Sequence, residues 1–171
     1  MMPKINSTGE VKIRHEIQPG DIGYIIYLHG ILYSKEYNFD LSFETMVAGT
    51  FHEYMDSFNS QKDRLWIAEL DGEIVGTVAI KGRSDAVAQL RWYLVHPKAR
   101  GKGVGRALIN LTLDFCKQCD YKSIYLHTVK QLEAAAHIYK SVGFKKTIEK
   151  ETKVWNQTVV ENVYELDLEV C

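Results

Sequence analysis

Proline and cysteine are scarce in this chain, three of each in 171 residues, and neither sign of charge prevails, the formal net charge being -1 and the isoelectric point near 6.6. Without a stretch rich in Pro, Gly or Ser there is no sign of an interdomain linker, a low-complexity tract or an internal repeat, so residues 11–169 are expected to form a single domain behind a flexible segment, 1–10. The near-neutral balance supplies no basic field, which argues against nucleic acid or an anionic membrane as the main partner. No apolar run approaches the ~20 residues that cross a bilayer, and the polar start from Met1 to Glu10 lacks the apolar centre of a signal peptide. A cytoplasmic location is expected. Cys116 and Cys119 form a Cys-x-x-Cys pair, but no second pair completes a zinc site and Cys171 is terminal. Helix packing is the preferred reading over a metal or redox role, with no structural disulfide and no metal expected.

What the chain does have is 46% hydrophobic and 25% charged residues, enough for a substantial core. Val11 to Ile17 alternates like a strand, and Pro19-Gly20-Asp21 opens a helix that Asp21 can cap, with Ile22, Ile25, Ile26, His29 and Leu32 or Tyr33 at helical spacing. A second helix is predicted over Phe43 to Phe58, with Phe43, Met46, Val47, Thr50, Tyr54 and Phe58 as its stripe. Leu65 to Leu70 and Ile74 to Ile80 flank Asp71-Gly72 as a hairpin, and Ala88 to Val95 follows as a strand. A helix carrying Val104, Leu108, Leu111 and Phe115, a strand over Ser123 to Val129, and a helix marked by Leu132, Ala135, Ile138, Tyr139 and Val142 come next. Two strands, near Lys145 to Trp155 and Val159 to Leu168, end the chain. Hairpins at both ends with helices between predict an α+β layer design, a mixed sheet covered by helices.

The strand ending Tyr93-Leu94-Val95-His96-Pro97 runs into Lys98-Ala99-Arg100-Gly101-Lys102-Gly103-Val104-Gly105-Arg106, three alternating glycines before an amphipathic helix. Glycine permits left-handed backbone, so several N–H groups can converge on one anion beside the positive end of the helix dipole. Lys102 and Arg106 add positive charge. A dinucleotide fingerprint would need glycine at Arg106, and a P-loop would need four residues between its glycine and Gly-Lys-Ser/Thr; neither fits.

Arg-x-x-Gly-x-Gly, read as Arg100, Gly103 and Gly105, resembles the pyrophosphate-binding motif of the GNAT superfamily of acetyl-CoA-dependent N-acetyltransferases. The Val-x-Pro of Val95 to Pro97 and the run Ala134-Ala135-Ala136-His137-Ile138-Tyr139-Lys140-Ser141-Val142-Gly143-Phe144 resemble its flanking strand and later helix. Weaker likeness extends from about Val11 to Leu168. The resemblance implies a mostly antiparallel mixed sheet with a splayed parallel strand pair, acetyl-CoA as co-substrate, and a cofactor set of Tyr93, Leu94, Val95, Arg100, Gly101, Lys102, Gly103, Val104, Gly105 and Arg106. Backbone groups of Tyr93, Leu94 and Val95 would bond the pantetheine arm like an added strand.

The implied reaction moves an acetyl group from the thioester to a primary amine by direct attack. It needs a neutral amine, a polarised carbonyl, for which an N–H near Val95 is the candidate donor, and protonation of the leaving thiolate. Tyr139 stands at the family's position for that acid, and a tyrosine remains protonated at neutral pH. Many relatives carry a glutamate base eleven residues ahead of the motif's arginine; here that residue is Gln89, which takes no proton. His127 is the substitute, ahead of His96, Glu44 and Glu53, and a water relay is an alternative. Where relatives often place an asparagine at the start of the later helix, Gln131 stands.

Tyr33, Tyr37, Phe39, Tyr54 and Trp155 are candidates to line the acceptor pocket of a small-molecule or peptide amine. Glu36, Asp40 and Glu44 could draw a cationic amine, although a solvated face is the simpler reading. The segment His29 to Tyr37 resembles a subgroup found alongside MarR-type regulators. A non-catalytic acyl-CoA-binding or interaction module is the rival class, a longer acyl donor is a narrower alternative, and strand edges leave a homodimer open.

Overall fold

The structure, a computed structural model, describes residues 9–169, so most of the expected N-terminal segment 1–10 and Cys171 lie outside the described residues. The elements run β1 (Lys12–Arg14), α1 (Asp21–Tyr37), α2 (Leu41–Asp56), β2 (Arg64–Leu70), β3 (Glu73–Gly82), β4 (Val87–Val95), a 3-10 turn at Pro97–Ala99, α3 (Val104–Gln118), β5 (Ser123–Val129), α4 (Glu133–Ser141), β6 (Lys145–Val154) and β7 (Gln157–Asp167). The seven strands form one sheet in the order β1-β2-β3-β4-β5-β7-β6, antiparallel throughout except for the parallel pair β4–β5. This is the expected mixed architecture.

Two apolar clusters sandwich the sheet. Val75, Val78 and Ile80 of β3 and Ile124 and Leu126 of β5 pack under Leu108, Ile109 and Phe115 of α3 and Tyr139 of α4. On the other face Leu65 and Ile67 of β2 meet Ile25 and Leu28 of α1 and Val47 and Phe51 of α2. Cys116 packs in the first cluster, where burial pushes its thiol up to about 12.

Local chemistry departs from the sequence reading at several points. Asp21 does not cap α1: Gly20 occupies the cap at φ 97°, and the Asp21 carboxylate instead accepts from the Gln18 N–H at 2.7 Å and from both Arg14 Nη atoms at 2.8 Å. β1 covers only Lys12–Arg14 of the expected strand, and the Arg14 side chain at its end pairs with Asp21 and Glu69. Leu111, Met46 and Phe58, expected on buried stripes, are exposed, and Thr112 takes the interior place on α3 with its hydroxyl on the Ile109 carbonyl at 2.6 Å. The last hairpin turns through Trp155 and Asn156, both left-handed at φ 53° and 63°, as does the Asp71-Gly72 turn at 53° and 79°.

Candidate functional site

The site begins with a fault in β4. Between Thr77 and Ala79 of β3 the register shifts, so that two residues of β4, Trp92 and Tyr93, stand where strict pairing allows one. Trp92 sits at φ 47°, a region that costs a bulky residue roughly 1–3 kcal/mol, and its surroundings hold it there. The Thr77 hydroxyl donates to its carbonyl at 2.7 Å, its ring stacks on Phe51 with centroids 3.7 Å apart, and its indole N–H reaches the Thr50 hydroxyl at 3.3 Å. The bulge bends β4 away from β5. Parallel pairing covers only Val87–Gln89 against Ser123–Tyr125, and beyond it the two strands part.

Two cavities occupy the cleft. One, of about 490 Å³, is walled by Gln89 to Tyr93 of β4, Leu126 to Val129 of β5, and side chains of α1, α2, α4 and the last hairpin. The other, of about 410 Å³, lies beyond Tyr93, Leu94 and Val95 and extends along the glycine turn to Arg106. Tyr33, Tyr93, Leu132 and Ala135 line both, so the two meet there.

The second cavity gathers nine of the ten residues expected to hold the cofactor, Lys102 being the one not on its wall. Gly101 and Gly103 are left-handed at φ 73° and 78°, and no atom lies within 4 Å of where a side chain would begin on either. Val104, Gly105 and Arg106 open α3, so their N–H groups belong to the unpaired first turn. Gly105 is required for a different reason: a Cβ there would overlap the Tyr93 hydroxyl. Arg100 is less free than its motif position implies. Its Nε donates to the Val95 carbonyl at 3.1 Å and its fork holds Glu36 of α1, Nη2 to Oε2 at 2.9 Å, which ties α1 to the turn. That pairing also gives Glu36 a role other than drawing an amine.

Tyr139 lies on the wall of the first cavity, 4% exposed, with its ring 5.7 Å from Tyr93 and 5.8 Å from Phe144. No hydrogen bond from its hydroxyl forms among the described residues, and burial holds its pKa well above the usual phenol value. His127 is on the same wall, exposed, edge-on to Tyr125 at 5.7 Å. Gln89 is fixed by Arg83, whose Nε donates to Oε1 at 2.8 Å. His96 caps the 3-10 turn by accepting the Lys98 N–H on Nδ1 at 3.2 Å, and it lines neither cavity. Glu44, Glu53 and Gln131 line neither cavity. Of the expected acceptor-side aromatics, Tyr33, Phe39 and Trp155 line the first cavity and Tyr37 the second; Tyr54 is core, donating to the Ile80 carbonyl at 3.3 Å.

Three polar wall residues, Arg91, Glu161 and His29, were not among the candidate site residues. Arg91 and Glu161 fall within stretches expected to be strands. His29 read as part of the α1 stripe, and it is buried at 3% exposure with Nδ1 on the Ile25 carbonyl at 2.8 Å. A carbonyl only accepts, so Nδ1 carries the hydrogen and Nε2 is a bare lone pair, buried without a partner among the described residues. Burial lowers the His29 pKa to about 4, so the ring is neutral at pH 7.

Residues 30–144 match the sequence model of the Acetyltransferase (GNAT) family. N-acetylaspartate synthetase of Xenopus tropicalis is 42% identical over 81 residues, 47% of this chain and 30% of that protein. The chain spans less than half the length of the curated relatives it matches. Among solved structures, spermidine N-acetyltransferase from Vibrio cholerae in complex with CoA and spermine superposes with a TM-score of 0.70 at 20% identity, covering 93% of this chain and 96% of that one. A Salmonella typhimurium structure with its cofactor acetyl-CoA gives 0.69 at 18% identity, covering 94% and 95%. With its family motif on the turn and its sheet split at β4–β5, this chain belongs to the GNAT family of acetyltransferases.

Proposed function

We propose that residues 11–169 act as one domain that transfers an acetyl group from acetyl-CoA to a primary amine by direct attack. The observation that carries this is the meeting of two cavities at the β4–β5 split, with the glycine turn along the second and Tyr139 on the wall of the first, its ring 5.7 Å from that of Tyr93 at the junction. The second cavity suits the CoA moiety: an open cradle over Gly101 and Gly103, first-turn N–H groups, and Lys102 and Arg106 nearby for pyrophosphate charge. Bound there, acetyl-CoA supplies an activated thioester. The free edge of β4 offers the Tyr93 to Val95 backbone to the pantetheine amides, and an N–H near Val95 polarises the thioester oxygen. Tyr139 donates its proton to the departing sulfur; the burial that raises its pKa keeps the hydroxyl protonated at neutral pH. His127, exposed on the opposing strand, takes the amine proton directly or through water, a task Gln89 cannot perform.

The names of relatives bound or matched to aspartate and polyamine chemistry support an amine acceptor of small size. The likeness of His29 to Tyr37 to the MarR-associated subgroup is part of the same reading and bears on the acceptor side. Calorimetry with acetyl-CoA followed by thiol release against a panel of amines tests the proposal: binding with amine-dependent release is expected. No binding by folded protein overturns it. Binding without release by any amine favours the second reading, a non-catalytic acyl-CoA module, for which the loss of the carboxylate at Gln89 is the motivating observation.

A further inference from the structure

The wall of the first cavity carries one guanidinium, Arg91, and one carboxylate, Glu161. The carboxylate is engaged, accepting the Thr152 hydroxyl at 3.0 Å. The guanidinium is not. Arg91 is half-buried, yet among the described residues it makes no hydrogen bond and no ion pair; its only specific contact is the face of its neighbour Trp92, 4.9 Å from the ring centroid. Arg83 stands close enough to repel it, and Glu53 of α2 is close enough to feel but forms no pair with it. An arginine with five donors half withdrawn from water and no acceptor is costly unless a ligand completes it. The rest of the wall is largely aromatic, with Tyr33, Phe39, Phe43 and Trp155 on the helix and hairpin side.

We propose that Arg91 is the carboxylate-binding residue of the acceptor site, so that the amine acetylated belongs to an amino acid, or an amino-acid conjugate, with a free carboxylate and an apolar side chain. This rests on the acetyltransferase reading and names its substrate class. A planar guanidinium takes a carboxylate through two parallel N–H donors, and the half-buried position strengthens that pair over one at the surface. The burial and the Arg83 charge that lower the Arg91 pKa are relieved by an incoming anion. A polyamine fits poorly: it would bring several positive charges to a wall with one engaged carboxylate and an unpaired cation.

The test is calorimetric titration of the CoA complex with a matched pair, N-acetylphenylalanine and N-acetylphenethylamine, which differ only in the carboxylate, and with N-acetylspermidine. Wild-type protein should bind N-acetylphenylalanine at least tenfold more tightly than either of the others. Arg91→Met should bring the matched pair within threefold, and Arg91→Lys should retain part of the preference. Because the readout is a ratio, general damage to the cleft cancels, and a purely structural stacking role for Arg91 on Trp92 would leave it unmoved. Equal affinity for the pair, no measurable binding of either by the CoA complex, preference for N-acetylspermidine, or a preference that survives Arg91→Met each overturns the carboxylate proposal. Failure of CoA itself to bind overturns the underlying acetyltransferase reading instead.

Discussion

Tyr139 owes its candidate role to two properties that a surface tyrosine lacks: a hydroxyl with no acceptor among the described residues and surroundings that disfavour its anion. Tyr139→Phe keeps the ring and its contacts with Tyr93 and Phe144, so the cleft should hold its shape while the proton donor is lost. Turnover should fall about 100-fold, in the range of a positioned general acid, with CoA affinity changed by less than about threefold. Steady-state thiol release and calorimetry on the same preparation read both quantities, and a variant as active as the parent would remove Tyr139 from the chemistry. His127 makes a separable case. If it takes the amine proton, His127→Ala should lower kcat/KM by about tenfold or more with CoA affinity unchanged, whereas a water relay would leave kcat/KM near the wild-type value.

The glycine turn and the bulge are one device made of two elements, since the Tyr93 side chain delivered by the bulge lies where a Cβ on Gly105 would fall. Gly105→Ala should destabilise by about 1–3 kcal/mol through this overlap, and adding Tyr93→Phe should return part of it; additive losses in urea unfolding would show that the two do not meet. Gly103→Val acts differently, because its space is open but its φ of 78° is not: a strain of about 1–2 kcal/mol should accompany a tenfold or greater loss of CoA affinity. The turn was legible because glycine is the residue that left-handed backbone demands. The bulge was not. No glycine marks it, and Trp92 is held at positive φ by Thr77, Phe51 and Thr50, residues 15 to 42 positions away in sequence that no local pattern connects. Strict alternation would have put Leu90, Trp92 and Leu94 on one face, whereas the fold sends Leu90 and Tyr93 to one cluster and Trp92 and Leu94 to the other. Arg91 and His29 were hidden for a related reason: periodicity says which face a side chain joins, not whether its polar atoms find partners there. At Asp21 the sequence offered a good cap, and a tertiary partner, Arg14, took its carboxylate instead.

At the scale of the whole molecule, α1 and α2 close one face of the sheet over the first cavity, and α1 buries a histidine, His29, on that cavity's wall. In the unfolded chain this imidazole takes a proton near pH 6.5; in the folded chain burial defers it to about 4. Between those values the unfolded state binds more protons, so the His29 contribution is fully present above pH 6.5 and is lost as acid is added, by about 3 kcal/mol in total. His29→Leu removes the titrating group while keeping an apolar body in the site. Carboxylates such as Asp21, held low first by its Arg14 hydrogen bonds, weaken both proteins alike as pH falls and cancel in the difference. Urea unfolding from pH 7.5 down to about 4 should therefore show the variant gaining on the wild type by about 3 kcal/mol across the window. Two stability curves running parallel through it would mean that the buried ring reaches water or a partner, and with it that Nε2 is not the bare lone pair the packing of α1 implies.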